Sequence, residues 1–380
     1  MRLGTSVPER RERGSVLEGN SPKRSSFGLG RLTASGLLTA SVATAGAMLS
    51  RASSAAIGRS LDFANEGLTK SDIAILRFLA TMELIECDLW QQYEELGGLT
   101  EGAQNSYQLA LQFLDHNSSR QISDNCICEV SHATFLNEFL KSEGAEPVDL
   151  NRFCLLRGSS AAGARDIGRL TNLMHLNLDT GWHIQYRRED TRQLDSPIPR
   201  AMRIVNRPSI PRSEEDLSEP EHIQVIANTA AFHFGYVERS VSSLYSTLCR
   251  KGRRAKVLKI ALGIGGQEIA QFLGWLDFGS RVISGTPFSV DSSRTPTEVD
   301  SHTLSSFNTT PRKLPASSHC DFIWKSLPVD SVIRRLDERL GGAVATINYF
   351  TENGLFVGQP EEFLKLLQTL ASEADDAMCA

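Results

Sequence analysis

Apolar residues recur at helical spacing in four long stretches of the chain. These stretches cover about 71–96, 101–141, 221–250 and 254–279. The first stretch has Thr69 or Ser71 as an N-cap candidate and Gly97-Gly98 after its last turn, which is typical of helix boundaries. The second stretch is interrupted near 115–123. Because the apolar positions follow the helical period in each stretch, the pattern predicts an all-α fold.

The fourth predicted helix is rich in glycine in its first half. Gly263, Gly265 and Gly266 all fall inside its apolar pattern. Glycine has a low helix propensity and leaves room for a neighbouring backbone. We therefore expect a kink or a close helix contact at this point.

The segment between the second and third helices, 145–220, has a different composition. A helical pattern at about 161–179 is followed by a proline-rich stretch that reads as a loop. A long connection is what a bundle needs where two consecutive helices run parallel. We therefore expect a long crossover between helices 2 and 3.

The C-terminal part of the chain divides into a linker and a small extension. Residues 283–328 are rich in Ser, Thr and Pro, which is typical of a linker. Two short helical patterns follow, at about 330–349 and 360–374. We expect 329–380 to form a small helical C-terminal extension that docks on the bundle, and we identify no chemistry in it.

The first 60 residues have the composition of a targeting signal rather than of a folded segment. A basic region is followed by an uncharged stretch of small residues from Leu32 to Ser50. Lys23-Arg24 approximates a twin-arginine signal, with Lys in the first place. The pattern indicates export to the periplasm or the extracellular space, and the alternative is a disordered tail on a cytoplasmic protein. The sequence predicts no membrane span in the mature chain, because no later apolar run of about 20 residues follows.

Composition excludes several classes of protein. The 380 residues carry 40 Lys and Arg against 45 Asp and Glu, a net charge of -5, without the basic stripe that a nucleic-acid binder needs. The seven cysteines form no C-x-x-C pair, so a structural zinc site is not expected. A hydrophobic content of 41% suits a soluble globular protein.

Acidic residues interrupt the apolar stripe of every predicted long helix. The candidate ligands on these stripes are Glu83, Glu129, His132, Glu238, Glu268 and Gln271. Glu129 and His132 are three residues apart and face the same way on a helix. Burying either side chain without a partner costs several kcal/mol, so a polar partner or a bound metal ion is needed. A plain Glu-His pair and solvated surface acids remain the alternatives.

The two pairs of helices repeat one arrangement of residues. Glu83 is followed by Trp90 and Glu238 by Tyr245, in both cases seven positions later. The partner helices then carry Glu-x-x-His and Glu-x-x-Gln. Two helical turns place each aromatic ring on the side of its glutamate, where it could shield the acid or form a hydrogen bond with it; the simpler interpretation is a core aromatic. Glu86 is interpreted as an acid beside the site or on the surface rather than as a ligand.

These residues resemble the ferritin-like superfamily, especially its bacterial ferritin-like domain proteins. The resemblance covers about 68–282 and is carried by 79–86, 129–132, Glu238 with Tyr245, Glu268, and by 168–175 and 227–234. It implies a ferritin-like four-helix bundle with a two-metal carboxylate site, usually iron and in some relatives manganese. By position, it makes Glu83 and Glu238 terminal ligands, Glu129 and Glu268 bridging ligands, and His132 a terminal nitrogen ligand.

The chain departs from that pattern at Gln271, where the family motif has a second histidine. An amide oxygen is a poorer ligand than imidazole, so one of at most two metal positions is expected to be weak, replaced or empty. His233 or His175 could supply the missing nitrogen, although a lone histidine on an apolar face is more often a core residue.

Two functions remain open at the level of the sequence. The first is a metal-binding protein with iron or manganese and oxidase or peroxide chemistry. The second is a metal-free or single-metal secreted protein with a structural, stress-related or interaction role, which Gln271 favours. Metal ions are the partners implied, and a homo-oligomer is compatible with both functions. The sequence names no substrate and no catalytic residue.

Overall fold

Helices form most of the chain that the structure, a computed structural model, describes: residues 67–100, 102, 105–183, 203–282, 318–319, 330–331 and 340–377. The helices are α1 (Lys70–Gly97), α2 (Asn105–Leu114), α3 (Ser118–Ser142), α4 (Pro220–Leu248), α5 (Ala255–Val282), α6 (Ala343–Glu352) and α7 (Glu361–Asp375). The described residues are mostly helical, which confirms the prediction that the fold is built mainly from helices. Within these residues, no helix combines the length and apolar character needed to cross a membrane. The predicted export signal at 1–60 and most of the predicted linker lie outside the described residues.

Helix α1 begins with a capping box. The Thr69 hydroxyl accepts a hydrogen bond from the Asp72 backbone N–H at 3.1 Å, and the Asp72 carboxylate accepts one from the Thr69 N–H at 3.0 Å. These bonds satisfy backbone donors that the first helical turn leaves without partners. The helix ends at Gly97, as the Gly97-Gly98 pair predicts.

The four long helices pack as two pairs, α1 against α3 and α4 against α5. These are the pairs in which the sequence repeat occurs. The predicted interruption of the second stretch falls between α2 and α3, where the Asp115 carboxylate accepts a hydrogen bond from the Asn117 N–H at 2.8 Å. Both members of each pair bury a continuous apolar core between them.

Helix α5 approaches α4 most closely at Gly265. A Cβ atom built on Gly265 would lie 2.8 Å from the Cβ of Tyr245, closer than side chains tolerate. The neighbouring glycines Gly263 and Gly266 have open space at the same position. The close helix contact that the glycine-rich pattern predicts therefore depends on one glycine of the three.

The predicted helix at 161–179 is wrong. This part of the chain contains β2 (Gly168–Arg169) and β3 (Leu176–Asp179), which pair antiparallel with β1 (Leu156–Arg157) and β4 (Arg203–Arg207) respectively. Burial alternates along β3, as expected of a strand with one covered face.

Tertiary hydrogen bonds explain why the segment does not form a helix. The backbone N–H of Thr171 donates to the Asp88 carboxylate at 2.8 Å, and the Thr171 hydroxyl donates to it at 2.6 Å. Arg169 is buried and pairs with Glu95 of α1. These contacts tie the backbone to α1 in an extended form, and they outweigh local helix propensity.

Among its described residues, the C-terminal extension contains two short helices that are docked on the rest of the fold. The first of them, α6, begins at Ala343, and residues 330–331, where the helical pattern begins, form β6, which pairs with β5 (Ser318–His319). The Asp375 carboxylate caps α6 by accepting from the Ala343 and Val344 N–H groups, both at 2.9 Å. Helix α7 packs against α1.

Candidate metal centre

Five glutamates from four helices meet inside the protein, and all five are fully buried. They are Glu83 and Glu86 of α1, Glu129 of α3, Glu238 of α4 and Glu268 of α5. We call these five residues, with His132 of α3, the carboxylate cluster. The structure thus brings together all four of the acids singled out from the sequence. It adds Glu86, which is buried beside these acids and not on the surface, as the first of its two interpretations predicts.

The His132 ring nitrogen lies at the centre of the first part of the cluster. Its Nδ1 atom is 3.2 Å from Glu83 Oε2, 3.4 Å from Glu129 Oε2 and 3.3 Å from Glu268 Oε1. Ligand atoms that share one metal ion at about 2.1 Å are separated by about 3.0 to 3.4 Å in octahedral or tetrahedral geometry. The distances from the nitrogen therefore suit ligands around a single cation, and they equally suit a protonated imidazole paired with three carboxylates.

A second group of acids adjoins the first and shares one member with it. One oxygen each of Glu86, Glu238 and Glu268 lies within 4.8 Å of the other two. Glu268 therefore contributes a ligand atom to both groups. This arrangement fits the bridging place that the resemblance gives to Glu268.

Neutral donors orient two of the carboxylates. The Tyr245 hydroxyl donates a hydrogen bond to Glu83 Oε1. Gln271 Nε2 donates to Glu129 Oε1 at 3.0 Å. The amide nitrogen of Gln271 therefore faces the cluster as a donor, and an amide in this orientation positions Glu129 instead of offering an oxygen to a metal ion.

Asn125 of α3 orients a third carboxylate and links it to a tryptophan. Its Nδ2 donates to Glu238 Oε1 at 2.7 Å, and its Oδ1 accepts from Trp275 Nε1 at 3.1 Å. The Trp275 ring stacks on Trp90 with centroids 5.4 Å apart. Trp90 is thus a core aromatic beside the site, as its simpler interpretation predicts.

The electrostatics of the cluster are dominated by burial. Burial raises the pKa of Glu129 to about 8, although its bond with His132 acts in the opposite direction. Burial and the charge of Glu129 raise the pKa of Glu268 to about 7. Burial alone would lower the pKa of His132, but its bonds with the glutamates raise it to about 12. The imidazole is therefore a cation in the metal-free protein at neutral pH.

The pKa values of the other three acids are also raised. Burial, and next the charge of Glu268, raises the pKa of Glu83 and raises the pKa of Glu86 and Glu238 well above the ordinary value. Among the described residues, His132 is the one cation that forms an ion pair with the cluster. Five acids thus face one positive charge, which favours protonation or the binding of further cations.

Several carboxylate oxygens of the cluster lack a hydrogen-bond donor, and this bears on whether a metal ion suits the site. Both oxygens of Glu86, both of Glu268 and Oε2 of Glu238 are buried without a hydrogen-bond donor. A buried carboxylate oxygen in this state costs several kcal/mol unless a proton or a metal ion neutralises it. Carboxylates with one imidazole are ligands that suit manganese and iron. The residues present therefore fit a metal-binding role.

Neither histidine considered as a replacement for the missing nitrogen belongs to these groups. His233 is buried, and its Nδ1 lies 2.6 Å from the Tyr93 hydroxyl. His175 contacts Asn206, with 3.0 Å between Nδ1 and Oδ1. His233 is a hydrogen-bonded core residue, the more usual role of a lone histidine on an apolar face.

Sequence reasoning left Glu86 out of the ligand set and missed Asn125. Glu86 lies three positions after Glu83 on the same broad helix face, a spacing that was available as a signal. Asn125 lies four positions before Glu129, one turn away on α3. Its role depends on Glu238 and Trp275, which belong to distant segments, and no local pattern indicates it.

Comparison of the chain with models of protein families, with curated proteins and with solved structures finds no match. The candidate site is therefore defined by its own geometry.

Proposed function

We propose that this chain is a ferritin-like metal-binding protein with a two-metal carboxylate site in a four-helix bundle. The observation that carries the proposal is the convergence of five buried glutamates and His132 from both helix pairs. In this proposal α1, α3, α4 and α5 are the bundle helices, and the segment between α3 and α4 is the crossover. The order of acids along the chain agrees with the motif of that class.

The first metal position would be held by Glu83, Glu129, His132 and Glu268. Iron or manganese is the proposed metal, since hard carboxylate oxygens and imidazole suit both. Bound ions of this kind supply electron transfer to dioxygen or peroxide, which side chains cannot provide by themselves. The protein's contribution is to exclude water by burial and to orient Glu83 through Tyr245 and Glu129 through Gln271.

Metal content tests the proposal. Protein purified under native conditions and equilibrated with Fe²⁺ without oxygen, or with Mn²⁺, should retain about two ions per chain. Glu129→Ala should lower this content sharply, because it removes a ligand at the first position. Glu138→Ala is the matched control, since Glu138 lies on the same helix with 68% of its side chain exposed. Metal-free wild type, together with unchanged thermal stability in Glu129→Ala, would rule the function out.

The alternative is a single-metal or metal-free protein with a structural or interaction role. The orientation of Gln271 favours it, because the residue at the place of the second histidine donates to Glu129 rather than offering a lone pair. This alternative predicts one retained ion or none in the same measurement. The outcome depends on whether another residue completes the second position.

A further inference from the structure

Among the described residues of the cluster, Glu86 is the one with neither a hydrogen bond nor an ion pair. Glu83, Glu129 and Glu238 each accept from a neutral side chain, and Glu268 lies 3.3 Å from the His132 nitrogen. Glu86 is fully buried, and neither of its oxygens has a donor. A side chain in this state must be protonated or must bind a cation.

The surroundings of Glu86 favour a cation. Its carboxylate and those of Glu238 and Glu268 each offer one oxygen, and these oxygens lie within 4.8 Å of one another. Oxygen ligands on opposite sides of a Mg²⁺ or Ca²⁺ ion are about 4 to 5 Å apart. Three ionised carboxylates this close together repel each other, and a cation between them turns the repulsion into attraction.

We infer that Glu86 replaces the ligand missing at Gln271 and completes an all-carboxylate second position with Glu238 and Glu268. This inference rests on the proposed metal-binding function and assigns its second ion. The position has no nitrogen ligand, in contrast to the position at His132. Sets of carboxylate oxygens suit Mn²⁺, Mg²⁺ and Ca²⁺, whereas imidazole adds affinity for iron and zinc. The two positions are therefore unlike, and the second takes an oxygen-preferring divalent cation.

The test counts Mn²⁺ ions in metal-free protein by calorimetric titration and by the loss of the electron paramagnetic resonance signal of free Mn²⁺. Wild type should bind two ions. Glu86→Gln keeps the shape of the side chain but removes its charge, and it should bind one ion. Glu129→Gln should weaken the other position and keep the one at Glu86. Glu138→Gln, on an exposed face of α3, should bind as wild type does.

The outcomes separate this inference from the proposed function. Two ions with unchanged affinity in Glu86→Gln overturn the role of Glu86 and leave the metal-binding function standing. If wild type binds one ion and Glu86→Gln still binds it, the role of Glu86 is likewise overturned and the metal-binding function stands. A wild type that binds no ion overturns both.

A second variant covers the case in which Glu86→Gln does not fold. Glu86→Asp keeps the charge on a shorter side chain, and it should bind two ions with at least about tenfold weaker affinity at one position, as expected for a displaced ligand. Wild-type affinity at both positions in Glu86→Asp would overturn the inference. The metal-free Glu86→Gln protein, if folded, should melt at a higher temperature than wild type because it lacks a buried carboxyl group.

Discussion

The hydrogen bond from Tyr245 restricts the orientation of the Glu83 carboxylate. Both residues are buried, and the phenol reaches the oxygen that does not face His132. Groups that orient metal ligands in this way typically contribute about 10- to 100-fold to metal affinity. We therefore expect Tyr245→Phe to weaken Mn²⁺ binding at the first position about tenfold, as measured by calorimetric titration.

Tyr107→Phe is the control for this prediction. The Tyr107 hydroxyl is also buried, but it donates to the Ser209 backbone carbonyl at 2.6 Å, away from the cluster. The control should lose stability without losing affinity for Mn²⁺. Equal affinities in the two variants would show that the phenol of Tyr245 does not orient a ligand.

At the scale of residues, the sequence predicts four of the five acids that meet in the core. Glu83, Glu129, Glu238 and Glu268 are predictable because each interrupts an apolar stripe at a corresponding place in the repeat. Glu86 lies on the same helix face as Glu83 but has no counterpart in the repeat, so the sequence does not distinguish a ligand from an acid beside the site. Its burial comes from α4 and α5, which contribute the neighbouring Glu238 and Glu268.

At the scale of elements, the contact between α4 and α5 depends on Gly265. A methyl group on Gly265 would meet Tyr245 at 2.8 Å, whereas one on Gly263 would meet open space. Overpacking costs about 1–3 kcal/mol, and replacing glycine inside a helix by alanine gains up to about 1 kcal/mol. We expect Gly265→Ala to be less stable than Gly263→Ala by about 1–3 kcal/mol, as measured by urea unfolding.

The same pair of variants also reports on the site. Moving α5 away from Tyr245 should displace Glu268, which is three positions further along α5. Gly265→Ala should therefore also weaken Mn²⁺ binding, and Gly263→Ala should leave it unchanged. If both variants gain stability alike, the close approach of the two helices is not a constraint in solution.

The long helices are predictable from the sequence because several local signals agree on them. Apolar periodicity, the Thr69 cap and the Gly97-Gly98 stop place α1 within a residue or two of its observed ends. The segment at 161–179 misleads because its leucines at 170 and 173 also fit a helical period, although 176 and 178 alternate as in a strand. Its conformation is set by bonds to Asp88 and Glu95, which local sequence does not reveal.

At the scale of the whole molecule, the buried acids couple stability to pH. In the folded metal-free protein the pKa of Glu129 is about 8 and that of Glu268 about 7. An unfolded glutamate titrates near about 4.3. The folded state therefore binds more protons than the unfolded state between these values. Stability is greatest near the unfolded pKa and falls as pH rises through about 7 to 8.

We expect the free energy of unfolding of chelator-treated protein to be lower at pH 8 than at pH 5.5. The loss approaches about 1.4 kcal/mol per pH unit for each extra proton held by the folded state. The raised pKa of His132 acts in the same direction, because above about 6.5 the unfolded imidazole loses a proton that the folded imidazole keeps. Urea unfolding at the two pH values measures the difference.

Metal ions should reverse this dependence, because they bind the deprotonated carboxylates and take the place of the protons. Saturating Mn²⁺ should therefore raise the melting temperature more at pH 8 than at pH 5.5. Glu129→Gln removes one titrating group and should flatten the pH dependence of the metal-free protein, while Glu138→Gln should not. Stability of the metal-free wild type that rises between pH 5.5 and 8 would show that the five glutamates are not buried together, and the carboxylate cluster could then not be the metal centre.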